Sequence, residues 1–202
     1  MIERILHDQL MTYFRENKLL YGSQYGFRTG HSTELATAEL IDRVMHSLDS
    51  RDSHISIFAD ISKAFDCIDH AILLSKLAHY GLEGKSVALF SSYLSDRYQF
   101  VKINNVASDS TLIDIGVPQG SILGPLLFTI YINDIAQTSH ILQSILYADD
   151  STFSLEIENP SKQSEPSAYE TQAQNVVNEE LEKISVWLKS NRLCINIKKR
   201  NT

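Results

Sequence analysis

The chain has 202 residues, 43% of them hydrophobic, enough for one domain with a real core and at most a small second lobe. Its 18 Lys plus Arg against 25 Asp plus Glu give a formal charge of −7, the wrong sign for a domain that grips nucleic acid through a broad basic face. No apolar run approaches the roughly 18 residues of a membrane span, the first residues lack the apolar stretch of a secretory signal, and Cys67 and Cys194 are the only cysteines, so neither a membrane span, a disulfide framework nor a zinc site is suggested and an intracellular location, cytoplasm or nucleus, is expected.

Ile2, Ile5, Leu6, Leu10, Tyr13 and Phe14 recur at helical spacing, which predicts an amphipathic first helix. The stretch Tyr21 to Gly30 holds three glycines and predicts turns. Ser32 or Thr33 can then cap a second helix running through Ala38, Ile41, Val44, Met45 and Leu48, ended by a loop around Asp49 to Ser53. Ile55 to Ala59 has strand character and delivers Asp60 at its end. Two helical stretches follow, through Leu73, Leu74 and Leu77 and through Val87, Leu89, Phe90, Tyr93 and Leu94, separated by Gly81 and Gly84. Tyr98 to Ile103 and Thr111 to Ile115 read as two strands joined across Asn104-Asn105. Gly116 to Gly120 is a turn, and Ser121 opens a helix rich in leucine. A hairpin is expected around Asp149-Asp150, a polar exposed loop from Glu156 to Gln172, a last helix through Val176 to Leu188, and a short strand from Leu193 to Ile197.

Three blocks carry chemistry. Tyr147-Ala148-Asp149-Asp150 sets two adjacent carboxylates at a strand tip, where they repel each other unless a cation such as Mg²⁺ takes them as oxygen ligands. Asp60 closes an apolar strand in Ala59-Asp60-Ile61-Ser62-Lys63-Ala64-Phe65-Asp66. If that strand lies beside the hairpin, Asp60 and Asp149 can face the same two cations, as phosphoryl transfer requires of ions about 3.5 to 4 Å apart. Gly116-Val117-Pro118-Gln119-Gly120-Ser121 lets the backbone approach a flat ligand, with Gln119 able to bond a sugar or base edge. Each block also has a plain reading as a turn or a cap. Asp66, Asp69 and His70 are expected to cap a helix and to form a solvated face, and Trp187 to lie in the core.

These blocks, in this order and with Gln24-Tyr25-Gly26-Phe27-Arg28 upstream, resemble the reverse transcriptase family, in its non-LTR or LINE-like branch. The resemblance runs from about residue 1 to residue 199. It implies an α+β fold, the right-hand polymerase palm, an antiparallel sheet packed on helices, with partial fingers over residues 1–54 and mainly palm with helical and hairpin insertions over 55–202. It implies an RNA-directed DNA polymerase, a nucleotidyltransferase working on an RNA template, a DNA primer and deoxynucleoside triphosphates with two Mg²⁺ ions. Asp60 and Asp149 would be the main metal ligands and Asp150 the third catalytic carboxylate. Phe65 stands where the family has its sugar-selecting aromatic. Gln119 and Gly120 would line the nucleotide pocket, Arg28 the fingers side, and Lys199 matches a lysine near the departing pyrophosphate.

The chain also departs from the family pattern. It opens near the point where members carry an Arg-Pro fingers motif and stops inside the last palm motif, so a thumb is expected to be absent and no endonuclease domain is expected. A non-catalytic retroelement remnant is the competing reading. A phospho-acceptor receiver domain also clusters carboxylates, but it has no place for Pro118-Gln119-Gly120.

Overall fold

A computed structural model describes residues 2–158 and 167–196. The chain forms two compact units, one of residues 1–19 and 63–131 and the other of residues 20–62 and 132–202.

The first unit is mainly helical. It holds α1 (Ile2–Glu16), α3 (His70–His79), α4 (Lys85–Leu94) and nearly all of α5 (Leu123–Ile132). Helix α1 buries Leu10 and Phe14, the inner residues of its periodic stripe, and Phe14 packs edge-on against Tyr80. Asp69 caps α3 by accepting the Ile72 N–H at 2.9 Å, a contact that satisfies one of the orphan amides of a helix start. Helix α5 is apolar on every side, and its residues Leu126 to Ile132 are all buried, as befits a helix inside a core.

The strands of this unit differ from the sequence reading. In place of two longer strands there are four short ones: β2 (Arg97–Gln99) pairs with β5 (Thr111–Ile113), and β3 (Lys102–Ile103) pairs with β4 (Val106–Ala107). The apolar run from Tyr98 to Ile103 is exposed almost throughout, so no buried face holds it in one continuous ladder.

The second unit is built on a three-stranded antiparallel sheet, in the order β1 (Ser53–Asp60), β7 (Asp150–Ile157), β6 (Gln143–Tyr147). Helix α2 (Thr33–Asp49) starts at the Ser32 cap and packs on β1 and β6. Its apolar residues do not all face inward. Ile41, Met45 and Leu48 are more than half exposed, while Ser47 is buried and bonds His54, and Arg43 reaches Ser154 of the sheet. Helix α6 (Ser167–Ser190) buries Ala173, Val177, Ile184 and Leu188 at helical spacing, with Trp187 half-buried between them.

Two further expectations change here. The polar loop expected from Glu156 to Gln172 is shorter, because Glu156 and Ile157 continue β7 opposite His54 and Ser53, and α6 begins at Ser167. Its middle, residues 159–166, lies outside the described residues. Instead of a strand from Leu193, Ile195 makes one isolated bridge to Ile61, and Ile197 lies outside the described residues.

Candidate active site

The carboxylates come together by strand register. In the β1–β7 ladder Asp60 is the direct partner of Asp150, and Tyr147 of β6 is the partner of the same Asp150. The side-chain period of two puts Asp60 and Phe58 on one side of the sheet with Asp150 and Thr152, while Ser151, Phe153 and Leu155 are buried on the other. Asp150 is exposed, and Asp60 and Asp149 are half-buried.

Between β6 and β7 only Ala148 and Asp149 make the turn. Ala148 has φ +52, a left-handed conformation that tight hairpins need at the first turn position and that glycine normally fills. A Cβ there costs on the order of 1 kcal/mol or more, strain that persists only where the surroundings hold it. Residues 23–26 supply that hold. Ser23 and Tyr25 exchange backbone bonds with Leu146 at 2.9 and 2.7 Å, making Gln24 a parallel partner of β6. Gly26 then lies against the turn so closely that a Cβ on it would stand 2.4 Å from the Ala148 nitrogen. Gln24 is fully buried; its Oε1 accepts the Gly26 N–H at 3.0 Å, and its Nε2 has no hydrogen-bond partner among the described residues.

A polar cluster fixes this brace to α2. Glu39 accepts from Tyr25 and Arg43, and from Ser23 at 2.8 Å. Burial of Glu39 works against its charge, but the Tyr25 and Ser23 hydrogen bonds and the Arg43 cation outweigh it and leave the carboxyl below its usual range. Arg28 donates to the carbonyls of Tyr21 and Gln24 at 2.9 and 2.8 Å, closing the loop that carries the brace. Its burial lowers the guanidinium's affinity for its proton.

Asp60 is steadied from the far end of the chain. Asn196 Nδ2 donates to Asp60 Oδ2 at 2.9 Å and the Asn196 N–H to the Asp60 carbonyl at 2.8 Å, while the Ile61 N–H donates to the Asp149 carbonyl at 3.0 Å. In the sequence Asn196 is only a position inside the expected strand from Leu193 to Ile197, with no local signal that marks it. Lys199 itself lies outside the described residues.

Phe65, Gln119 and Gly120 belong to the first unit. The Phe65 ring lies against Phe128 of α5, with centroids 4.7 Å apart. Gln119 is exposed and donates to Asp66, so Asp66 has a partner beyond the solvated face expected of it, while Asp69 is the helix cap. Gly120 adopts φ +79 and has open space around its α-carbon.

The donor set suits a hard divalent cation, since it consists of carboxylate oxygens, two of them on directly opposed residues. Among the described residues no three His, Cys, Asp or Glu side chains converge on a common point at ligand distance. The fit is therefore one of donor chemistry and register.

A family model described as "Reverse transcriptase (RNA-dependent DNA polymerase)" matches residues 1–202. The chain belongs to the reverse transcriptase family. It is 33% identical over 133 residues to a "Probable RNA-directed DNA polymerase from transposon BS" of Drosophila melanogaster, a match covering 66% of this chain and 15% of the relative. It is 32% identical over 152 residues to the corresponding protein of the X-element in the same species, covering 73% and 17%. The chain thus matches about a sixth of the length of these reverse transcriptase relatives, and the non-LTR branch expected from the motifs is the one they represent. Among solved structures, apo telomerase from Candida Tropicalis, truncated from the C-terminal domain, superposes with a TM-score of 0.61 at 15% identity, covering 98% of this chain and 39% of that one. Telomerase from Candida albicans in complex with a fragment of telomeric RNA gives 0.62 at 12% identity, covering 96% and 34%. The reverse transcriptase fold expected from the sequence, a right-hand polymerase fold with antiparallel sheet and helices, is the fold these structures share.

Proposed function

We propose that this chain is the catalytic part of an RNA-directed DNA polymerase, in which the 3′-hydroxyl of a DNA primer attacks the α-phosphate of a deoxynucleoside triphosphate on an RNA template and pyrophosphate leaves. The observation that carries the reading is the register that sets Asp60 opposite Asp150 at the mouth of the strained Ala148-Asp149 turn. Like charges placed directly opposite across a ladder destabilise it, by about 0.2–1 kcal/mol, so an arrangement that keeps them serves something other than stability.

Asp60 and Asp149, with Asp150, would hold two divalent ions, Mg²⁺ by their hardness. When bound, such ions activate the attacking oxygen and stabilise the leaving one. The chain's own contribution is position: Asn196 orients the Asp60 carboxylate, and the Gly26 brace keeps the turn that carries Asp149. Phe65 and Gln119 are assigned to the nucleotide by the family resemblance, the ring of Phe65 acting against a ribose 2′-hydroxyl. Arg28 donates to the backbone carbonyls of Tyr21 and Gln24 and so holds the loop that carries the brace, and the family resemblance places it on the fingers side of the nucleotide site.

The competing reading is a remnant that folds without turning over. Extension of a primer on an RNA template, with Mg²⁺ supplied, separates the two. Incorporation that Asp149→Ala plus Asp150→Ala abolishes supports polymerisation; incorporation that survives both substitutions overturns the assigned chemistry; none from folded wild-type protein favours the remnant.

A further inference from the structure

Two loops of the first unit are joined along a seam. The Gly116 N–H donates to the Ile68 carbonyl at 2.7 Å and the Val117 N–H to the Phe65 carbonyl at 3.0 Å, while Asp69 and Ile115 form an antiparallel bridge. His70 Nε2 adds a contact of 2.7 Å to the Gly116 carbonyl. Gly116 sits at φ +83, and a Cβ on it would stand 2.9 Å from the Asp66 carbonyl oxygen and 3.0 Å from the Asp66 Cα. Only glycine lets the two backbones come this near, so the seam fixes the Asp66 backbone beside the turn that carries Gln119.

Across it, Gln119 Nε2 donates to Asp66 Oδ1 at 2.8 Å. Both side chains are exposed, and water would compete for a bond between two freely moving groups. Here each partner starts from a pinned loop, so little further freedom is lost in making it. The chemistry of the partner then sets the direction of the amide. An ionised carboxylate only accepts, so the Gln119 nitrogen must face Asp66 and the carbonyl oxygen must face away; a flipped amide would set acceptor against acceptor.

Asp66 and Gln119 line a cavity of about 790 Å³ together with Lys63, His70 and Arg97. Its size suits a nucleotide, and its lining sets the cations Lys63 and Arg97 beside the carboxylates Asp66 and Asp114, so polar contacts rather than net charge would select what it holds.

We propose that Asp66 is a positioning residue: it holds the Gln119 amide with Oε1 turned to the ligand, so that Gln119 meets the incoming nucleotide as an acceptor for a hydroxyl or amino donor. This rests on the polymerase reading above. Asp66 touches no reacting atom and acts through Gln119 alone.

The test is a double-mutant cycle on the full chain, read by steady-state primer extension. Asp66→Ala is expected to raise the deoxynucleotide KM about three- to tenfold, with kcat changed less than about twofold. Asp66→Asn, which keeps an acceptor without enforcing one direction, is expected to fall between Asp66→Ala and wild type. In a Gln119→Ala background, Asp66→Ala is expected to add nothing. A KM equal to wild type in Asp66→Ala, or penalties that add in the double variant, overturns the proposal. If wild-type protein extends no primer, the polymerase reading fails separately, and the Gln119 side-chain amide resonances, assigned by their loss in Gln119→Ala, decide the pair. They are expected to shift and average in Asp66→Ala; unchanged resonances overturn the positioning role.

Discussion

Asp60 and Asp150 face each other as direct partners across the β1–β7 ladder, two carboxylates at one position of an antiparallel sheet. Asp60 Oδ2 accepts from Asn196, which fixes one oxygen of the carboxylate that stands opposite Asp150. Removing one charge should therefore relieve the sheet and, under the polymerase reading, end primer extension. Asp150→Asn is expected to raise the unfolding midpoint in chelator, by about 0.2–1 kcal/mol in stability, and to abolish extension. Adding Mg²⁺ should stabilise wild type and leave Asp60→Asn plus Asp150→Asn unmoved. Urea titrations with and without the ion measure both.

Gly26 leaves no room for a methyl group, because the Ala148 nitrogen would lie 2.4 Å from it. Gly26→Ala is expected to cost about 1–3 kcal/mol and to lower extension by disturbing the Asp149 turn. Gly22→Ala, which meets nothing within 4 Å, is the control and should be close to neutral. Thermal melts of the two variants compare them directly.

The Phe65 ring packs against Phe128 of α5, with centroids 4.7 Å apart. Under the polymerase reading Phe65→Val should let ribonucleotides be incorporated, with deoxynucleotide use retained. Competition between ribo- and deoxynucleotides in one extension reaction reads the change; unchanged sugar selectivity in an active variant would place the gate elsewhere.

His54 sits between Ser47 and Ser56, with ring contacts of 3.2 and 3.0 Å. Burial lowers its pKa below the ordinary 6.5; Glu156 across the ladder pulls it up and Arg43 pushes it down. The folded state thus binds the proton less readily than the unfolded chain. Its contribution to stability is complete above about pH 6.5 and is lost as pH falls through the lower folded value. His54→Gln is expected to flatten this step in a plot of urea midpoint against pH.

Helix α2 is oriented by its polar residues. Ser47, Arg43 and Glu39 bond the sheet and the loop of residues 23–25, and this turns Ile41, Met45 and Leu48 outward. Ile41→Gln and Met45→Gln are expected to change stability by no more than about 0.5 kcal/mol, whereas Arg43→Ala, which leaves Glu39 half-buried without its cation, should cost about 1–3 kcal/mol. Denaturant midpoints of the three variants rank them.

Local signals were enough for the family, the helices and the places of Asp60, Asp149 and Asp150 at a strand end and a hairpin: helical spacing, a cap at Ser32, a strand ending in Asp60, and the Tyr147 to Asp150 block. Relations between distant segments came only with the fold. Asp60 meets Asp150 because antiparallel register sets the partner, and Asn196 reaches Asp60 across 136 positions of chain. Gly26 reads in the sequence as a loop glycine, yet its place is fixed by a backbone lying 2.4 Å from where its Cβ would be. The outward face of α2 and the broken strands between Tyr98 and Ile103 have the same cause. Periodicity says which residues share a face, and packing against another segment says which face is buried.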